Sequence, residues 1–305
     1  MKVAFLFAGQ GAQNVGMGAD LYATNELSKK VFDEMKLDFD VKDICFNGPS
    51  EKINDTKYAQ SCILTTSLAI AEAVSYLGIK PSYVAGLSLG EYSALSYAGA
   101  FNYKDAGEIV AKRGEIMALA LPPKTSGMAA VIGMSATDIN NVLNQVDGIV
   151  RIANYNCPGQ IVITGEIDAL NTAIKLLKDN GCRRIIPLNV SGAFHSPLLE
   201  DASKKLKQVL NDYDIKETNI PVIYNVSGHE ENRDLKEILS EQIKSSVMFE
   251  QSIRYMIDKD VDTFIEIGPG KTLAGFVRKI NKDVKVYSVN DSASLQVLKE
   301  ELLGE

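Results

Sequence analysis

The sequence predicts an α/β fold: a parallel sheet covered on both faces, with a small ferredoxin-like α+β unit inserted into it. Three observations lead there. Val3–Phe7 and Thr263–Ile267 are nearly continuous apolar runs, as expected of strands buried on both faces, and helical patterns separate them. From Met128 the rhythm changes to β-α-β-β-α-β, the ferredoxin-like order. The chain has 305 residues, 46% of them hydrophobic and 23% charged, which suffices for a large core plus a smaller unit.

The first strand, Val3–Phe7, ends in Ala8-Gly9-Gln10-Gly11-Ala12-Gln13. Asn14 stands where a dinucleotide fingerprint needs its third glycine, so this reads as a loop aimed at the sheet's carboxyl edge, its N–H groups lining a site. Helical patterns cover 25–36 and 62–77, the second apolar nearly all round and ended by Gly78. A strand then leads into Gly86-Leu87-Ser88-Leu89-Gly90, followed by helices over 89–98 and 105–120. Pro122–Gly127 reads as a linker. The insert follows: strand 129–133, helix 136–146, strands 150–153 and 160–165, helix 167–179 and strand 183–188. The core resumes with helix 196–211, strand 222–225, helices 234–244 and 247–258, strand 263–267, helix 271–280 and strand 285–289. Residues 1–124 and 190–305 are thus expected to form the core, and 125–189 the insert. Gly268-Pro269-Gly270 lacks phosphate-loop spacing and reads as a turn.

Net charge is −7, which argues against general nucleic-acid binding. No apolar run approaches the length needed to cross a membrane, and the N-terminal one is too short for a secretory signal. Cys45, Cys62, Cys157 and Cys182 form no C-x-x-C and read as reduced thiols, placing the chain in the cytoplasm. No metal site or cofactor is expected.

The chemistry centres on Ser88. Gly-x-Ser-x-Gly between a strand and a helix is the setting of a nucleophile elbow: the glycines remove Cβ atoms from a tight turn, and the serine stands at its apex. The helix beginning at Leu89 turns its free N–H groups and positive dipole end towards that serine, where an oxyanion could be held. Such a serine needs a base. Only His195 and His229 are available. His195 lies in the loop Val190–Pro197, where the chain returns to the core; His229 lies in an acidic stretch and reads as exposed. Asp138, Asp147, Asp168 and Asp179, available between serine and histidine, all fall in the insert and have no strand-end setting, so a Ser–His dyad oriented by a neutral group is expected. Arg113 lies on an apolar helix, where a buried guanidinium needs a carboxylate or phosphate partner; a substrate carboxylate, an ion pair with Glu91 or Glu115, and a solvated helix face are the alternatives.

Gly9-Gln10-Gly11 with Gln13, Gly86–Tyr92, Lys112-Arg113-Gly114, Ala193-Phe194-His195-Ser196 and Glu266–Gly270 occur in an order that closely resembles the malonyl-CoA:acyl-carrier-protein transacylases. These are relatives of polyketide-synthase acyltransferase domains, and the resemblance spans the whole chain. It implies an α/β-hydrolase-like core and a ping-pong transfer through a malonyl ester of Ser88, with His195 as base, in fatty acid synthesis. It further implies backbone N–H groups of Gln10 and Leu89 as the oxyanion hole and Arg113 as partner of the malonyl carboxylate. The Gln242 carbonyl would orient the histidine, and Gln60, Met117 and Phe194 would line the acyl site. Phe194 resembles the malonyl-selecting form, since a ring there crowds a branched α-carbon. Ala8, Leu87 and Ser61 stand where the family usually has proline, histidine and proline. The implied partners are malonyl-CoA and, transiently, an acyl carrier protein, with the chain itself a monomer. Lys175, Lys178, Arg183 and Arg184, or Arg278, Lys279 and Lys282, would be the basic docking patches. A serine thioesterase and a non-catalytic carrier-binding protein are the competing readings.

Overall fold

The structure, a computed structural model, describes residues 1–304. Five strands form a parallel sheet: β1 (Val3–Phe7), β2 (Tyr83–Gly86), β7 (Val222–Ile223), β8 (Thr263–Ile267) and β9 (Lys285–Val289), in the order β7-β2-β1-β8-β9. Side chains alternate across β1. Val3, Phe5 and Phe7 join the larger core, while Ala4 and Leu6 join a second cluster on the opposite face. Thr56–Tyr76, with 16 of its 21 residues buried, packs in the first core. Helices Phe249–Asp258 and Thr272–Ile280 cover the second. Both faces are therefore covered, which is why β1 and β8 lack polar alternation.

The insert is a four-stranded antiparallel sheet of β3 (Ser126–Ile132), β4 (Val150–Cys157), β5 (Gln160–Glu166) and β6 (Arg184–Pro187), ordered β4-β5-β3-β6. Helices Ala136–Leu143 and Ile167–Asp179 cover one face, packing on Ala129, Val131, Ile161 and Ile163. Met128, Ala130 and Val162 point the other way and join the main core. That second face forms one wall of a cleft over the carboxyl edge of the parallel sheet. The insert is also tied down through its backbone: Tyr155 N–H donates to the Val247 carbonyl at 2.9 Å, and Val247 N–H to the Ala153 carbonyl at 2.8 Å.

Differences from the expected elements lie at ends and in short pieces. The helix expected over 62–77 starts at Thr56, because the Asp55 side chain caps it by accepting from Lys57 N–H. Short helices Ala19–Thr24, Val41–Asn47 and Ser50–Asn54 and the terminal helix Ser292–Leu303 carried too little periodicity to be read. The strand expected over 222–225 ends at Ile223, and Asn225 leaves the ladder for another task. The linker is shorter than expected, with β3 beginning at Ser126.

Candidate active site

Ser88 sits between β2 and the helix Gly90–Tyr97, with φ +53. His195, in the loop after the insert, has φ +58. Only four non-glycine residues among those described have positive φ, and these are two of them. Left-handed backbone is costly for L-residues and persists where its surroundings over-determine it, as at functional sites. Both bracketing glycines are required: a Cβ on Gly86 would strike the Gly90 carbonyl, and one on Gly90 the Phe7 carbonyl oxygen.

Ser88 Oγ lies 2.8 Å from His195 Nε2. His195 Nδ1 faces the backbone carbonyls of Gln242 at 2.9 Å and Ser245 at 3.1 Å. Two acceptors require a proton on Nδ1, which leaves Nε2 as the acceptor for the serine hydroxyl. No carboxylate contacts the imidazole among the described residues. Ser245 is an orienting group that the sequence did not flag. Burial holds the imidazole down to a pKa of about 4, helped by the positive charge of Arg113 and opposed by the two carbonyls. It is therefore neutral at physiological pH.

Arg113 is 1% exposed. Its Nη1 donates to Gln60 Oε1 at 2.6 Å, and its Nη2 to Gln242 Oε1 at 2.9 Å and to Ser88 Oγ at 3.2 Å. Its guanidinium stands over the Tyr92 ring, 5.0 Å from the centroid. Of the two ion-pair partners weighed from sequence, Glu91 is near enough to act on it electrostatically, but burial pushes the Glu91 carboxyl up to about 8. The guanidinium thus rests on neutral oxygens beside the Ser88 hydroxyl. A buried cation so placed is poised for an anion.

Gln242 acts three times: its carbonyl orients His195, its Oε1 holds Arg113, and its Nε2 donates to the Ser88 carbonyl at 2.9 Å. The second and third roles had no counterpart in the sequence, because side-chain reach across the fold leaves no local signature. Gln60 Nε2 lies 3.4 Å from Gln10 Oε1 and 3.6 Å from Met117 Sδ, and Gln10 Nε2 donates to Thr56 Oγ1 at 3.0 Å. The backbone N–H groups of Gln10 and Leu89 donate to no group among the described residues. His229 lies apart and exposed, its Nδ1 against the Glu230 carbonyl.

Gln10, Ser88 and His195 open into a cleft of about 510 Å³ between core and insert, and the buried Arg113, Gln60 and Gln242 lie behind its lining. Met117 and Phe194 line its inner end, while Asn154, Asn156 and Gln160 place amides along the insert wall. The Asn156 Oδ1 atom is buried there without a partner. All four cysteines are free and buried, and no metal-holding cluster occurs among the described residues.

An elbow serine, a carbonyl-oriented histidine and two unpaired N–H groups, Leu89 at a helix start and Gln10 in the turn after β1, define an enzyme of serine-based acyl transfer. The acyl transferase domain family matches residues 4–300, and the chain belongs to that family. It is 47% identical to the malonyl CoA-acyl carrier protein transacylase of Bacillus subtilis, over 98% of both chains. The crystal structure of the malonyl CoA-acyl carrier protein transacylase from Clostridium perfringens superposes with a TM-score of 0.97 at 44% identity, covering 100% of this chain and 98% of that one. A malonyl-transacylase solved in complex with its type II PKS acyl-carrier protein superposes with a TM-score of 0.95 at 34% identity, covering 99% of this chain and 100% of that one.

Proposed function

We infer that this protein transfers the malonyl group of malonyl-CoA to the phosphopantetheine thiol of an acyl carrier protein, supplying fatty acid chain elongation. The observation that carries the reading is Arg113: a buried guanidinium resting on neutral oxygens, 3.2 Å from the nucleophile. A hydrolase of neutral esters has no use for such a charge, whereas a malonyl thioester brings a carboxylate to it.

The mechanism follows from the geometry. Ser88 Oγ gives its proton to His195 Nε2 and attacks the thioester carbonyl. The oxyanion settles on the N–H groups of Gln10 and Leu89, each such donor being worth roughly 3 kcal/mol in well-studied hydrolases. The CoA thiolate leaves with the proton from His195. The carrier's thiol then gives its proton to the same nitrogen and attacks the malonyl ester, and Ser88 leaves as the hydroxyl. Arg113 holds the malonyl carboxylate through both halves, while Gln60, Met117 and Phe194 bound the acyl pocket.

In this reading the core (1–124 and 190–305) supplies the reacting groups, and the insert (125–189) supplies the amide-rich wall along which the pantetheine arm lies. The carrier docks at the cleft mouth as a transient partner of a monomeric enzyme. Arg183 and Arg184 are exposed at the start of β6, and Lys279 reaches Gln160 Oε1 at 3.4 Å on the cleft wall. Arg278 turns instead to the Val286 carbonyl at 2.9 Å. No helix among the described residues is long and apolar enough to cross a membrane. The free thiols suit a reducing cytoplasm.

Intact-protein mass spectrometry after mixing with malonyl-CoA tests the reading, with Ser88→Ala as control. A malonyl adduct on the unsubstituted protein alone, discharged by carrier protein and slowly by water, is expected. Rapid CoA release without carrier would instead mark a thioesterase, and neither adduct nor release would mark a binding protein.

A further inference from the structure

We propose that Asn225 is a positioning residue for catalysis: its amide clamps the two backbone groups on either side of the nucleophile turn and so fixes the direction of Ser88 Oγ. The proposal rests on the reading that Ser88 carries the acyl group.

The β2–β7 ladder runs through Val84↔Val222 and Ala85↔Ile223 and then stops. Beyond it β2 turns sharply, and Ser88 takes φ +53, so the Gly86 carbonyl and Ser88 N–H lose any strand partner on that side. The side chain that faces them, Asn225, is 1% exposed, and backbone polar groups shielded from water must be paired. Asn225 pairs them: its Nδ2 donates to the Gly86 carbonyl and its Oδ1 accepts from Ser88 N–H, both at 2.6 Å. One side-chain amide thus stands in for a missing rung of the sheet. The task needs a donor and an acceptor on one short planar group. Aspartate lacks the donor, leucine lacks both, and glutamine is one methylene too long.

The clamp is itself held. Its N–H donates to Glu91 Oε2 at 2.5 Å, and its carbonyl accepts from Met248 N–H at 2.8 Å. Glu91 lies in the first turn of the helix that starts just after Ser88, so the contacts close a ring from turn to helix to Asn225 and back. Gln242 Nε2, which holds the Ser88 carbonyl, also lies 3.4 Å from Asn225 Oδ1. Two consequences follow. Ser88 N–H is occupied, so oxyanion donors must come from its neighbours. The 2.8 Å approach of Ser88 Oγ to His195 also depends on a turn that would otherwise relax towards ordinary backbone angles.

The test compares Asn225→Ala with the unsubstituted enzyme in two rates: malonyl-adduct formation, and labelling of Ser88 by a small neutral fluorophosphonate. Malonyl-CoA affinity is measured in parallel, with Ser88→Ala added to both proteins so that no turnover occurs. Expected is a loss of about 100-fold in both rates, the scale of a roughly 1 Å misplacement, with affinity unchanged within twofold. A purely structural residue would lower affinity along with the rates, and that result, or rates within threefold, would overturn the proposal. If alanine costs the fold, Asn225→Ser answers the same question: a roughly tenfold slower rate at equal affinity supports the clamp, and an unchanged rate removes it. If the unsubstituted enzyme takes the fluorophosphonate on Ser88 but no malonyl, the functional reading falls, and the labelling rates still decide for or against the clamp.

Discussion

Replacing Arg113 by alanine is expected to invert the enzyme's preference between malonyl and acetyl groups. The guanidinium is 1% exposed and is supported by two neutral amide oxygens at 2.6 and 2.9 Å, with the Tyr92 ring beneath it. A malonyl carboxylate meeting it forms two charge-assisted hydrogen bonds, each worth about 1.5–3 kcal/mol. Losing both removes about 3–6 kcal/mol, or roughly 10²–10⁴-fold in kcat/KM for malonyl-CoA at about 1.36 kcal/mol per decade. Acetyl-CoA makes neither bond. It should be spared, or gain, because alanine also removes the Nη2 contact on Ser88 Oγ and leaves the nucleophile's lone pair free. Gln60 and Gln242 lose a partner in this variant, but an effect of that loss falls on both substrates alike and cancels in their ratio. The decisive quantity is therefore the ratio of the two kcat/KM values, measured by CoA release in the presence of carrier protein. An unchanged ratio, with both substrates slowed equally, would refute the carboxylate role and leave Arg113 as a structural ion.

Four further outcomes are expected. Because the base must be neutral and His195 is held at about 4 rather than its ordinary 6.5, acylation should stay level down to about pH 5 and fall tenfold per unit below 4; rates followed by rapid quench would contradict this with a limb near 6.5. Arg113→Ala should move that limb upward, and stability should rise with pH between about 4 and 6.5, where the unfolded chain binds a proton the native one refuses. For docking, Arg183→Glu and Lys279→Glu should each raise the carrier's KM roughly 3–10-fold in low salt without slowing malonyl-adduct formation, and unchanged KM values would remove both patches.

Much of this site was legible because its pieces are local. Gly86–Gly90 announces itself since only glycine tolerates the close backbone contacts on both sides of Ser88. His195 stood out as one of two histidines and the one outside an acidic loop. Arg113 stood out as a charge on an apolar helix, although its actual partners, Gln60 and Gln242, lie on other helices. The short helices before Thr56 were missed because segments of five to seven residues hold less than two turns of periodicity.

By itself the sequence determined the α/β fold, the strand–helix setting of Ser88, and the histidine best placed to serve it. Those follow from periodicity and steric exclusion, which act within a few residues. Tertiary structure alone decided the rest: that Ser245 shares the histidine with Gln242, that Gln242 joins arginine to serine, and that Asn225 closes the turn from 137 positions away. Amide side chains have no sequence period that reports their partners. Only the packing that buries them, and the cost of leaving a buried donor or acceptor unpaired, determines which groups they meet.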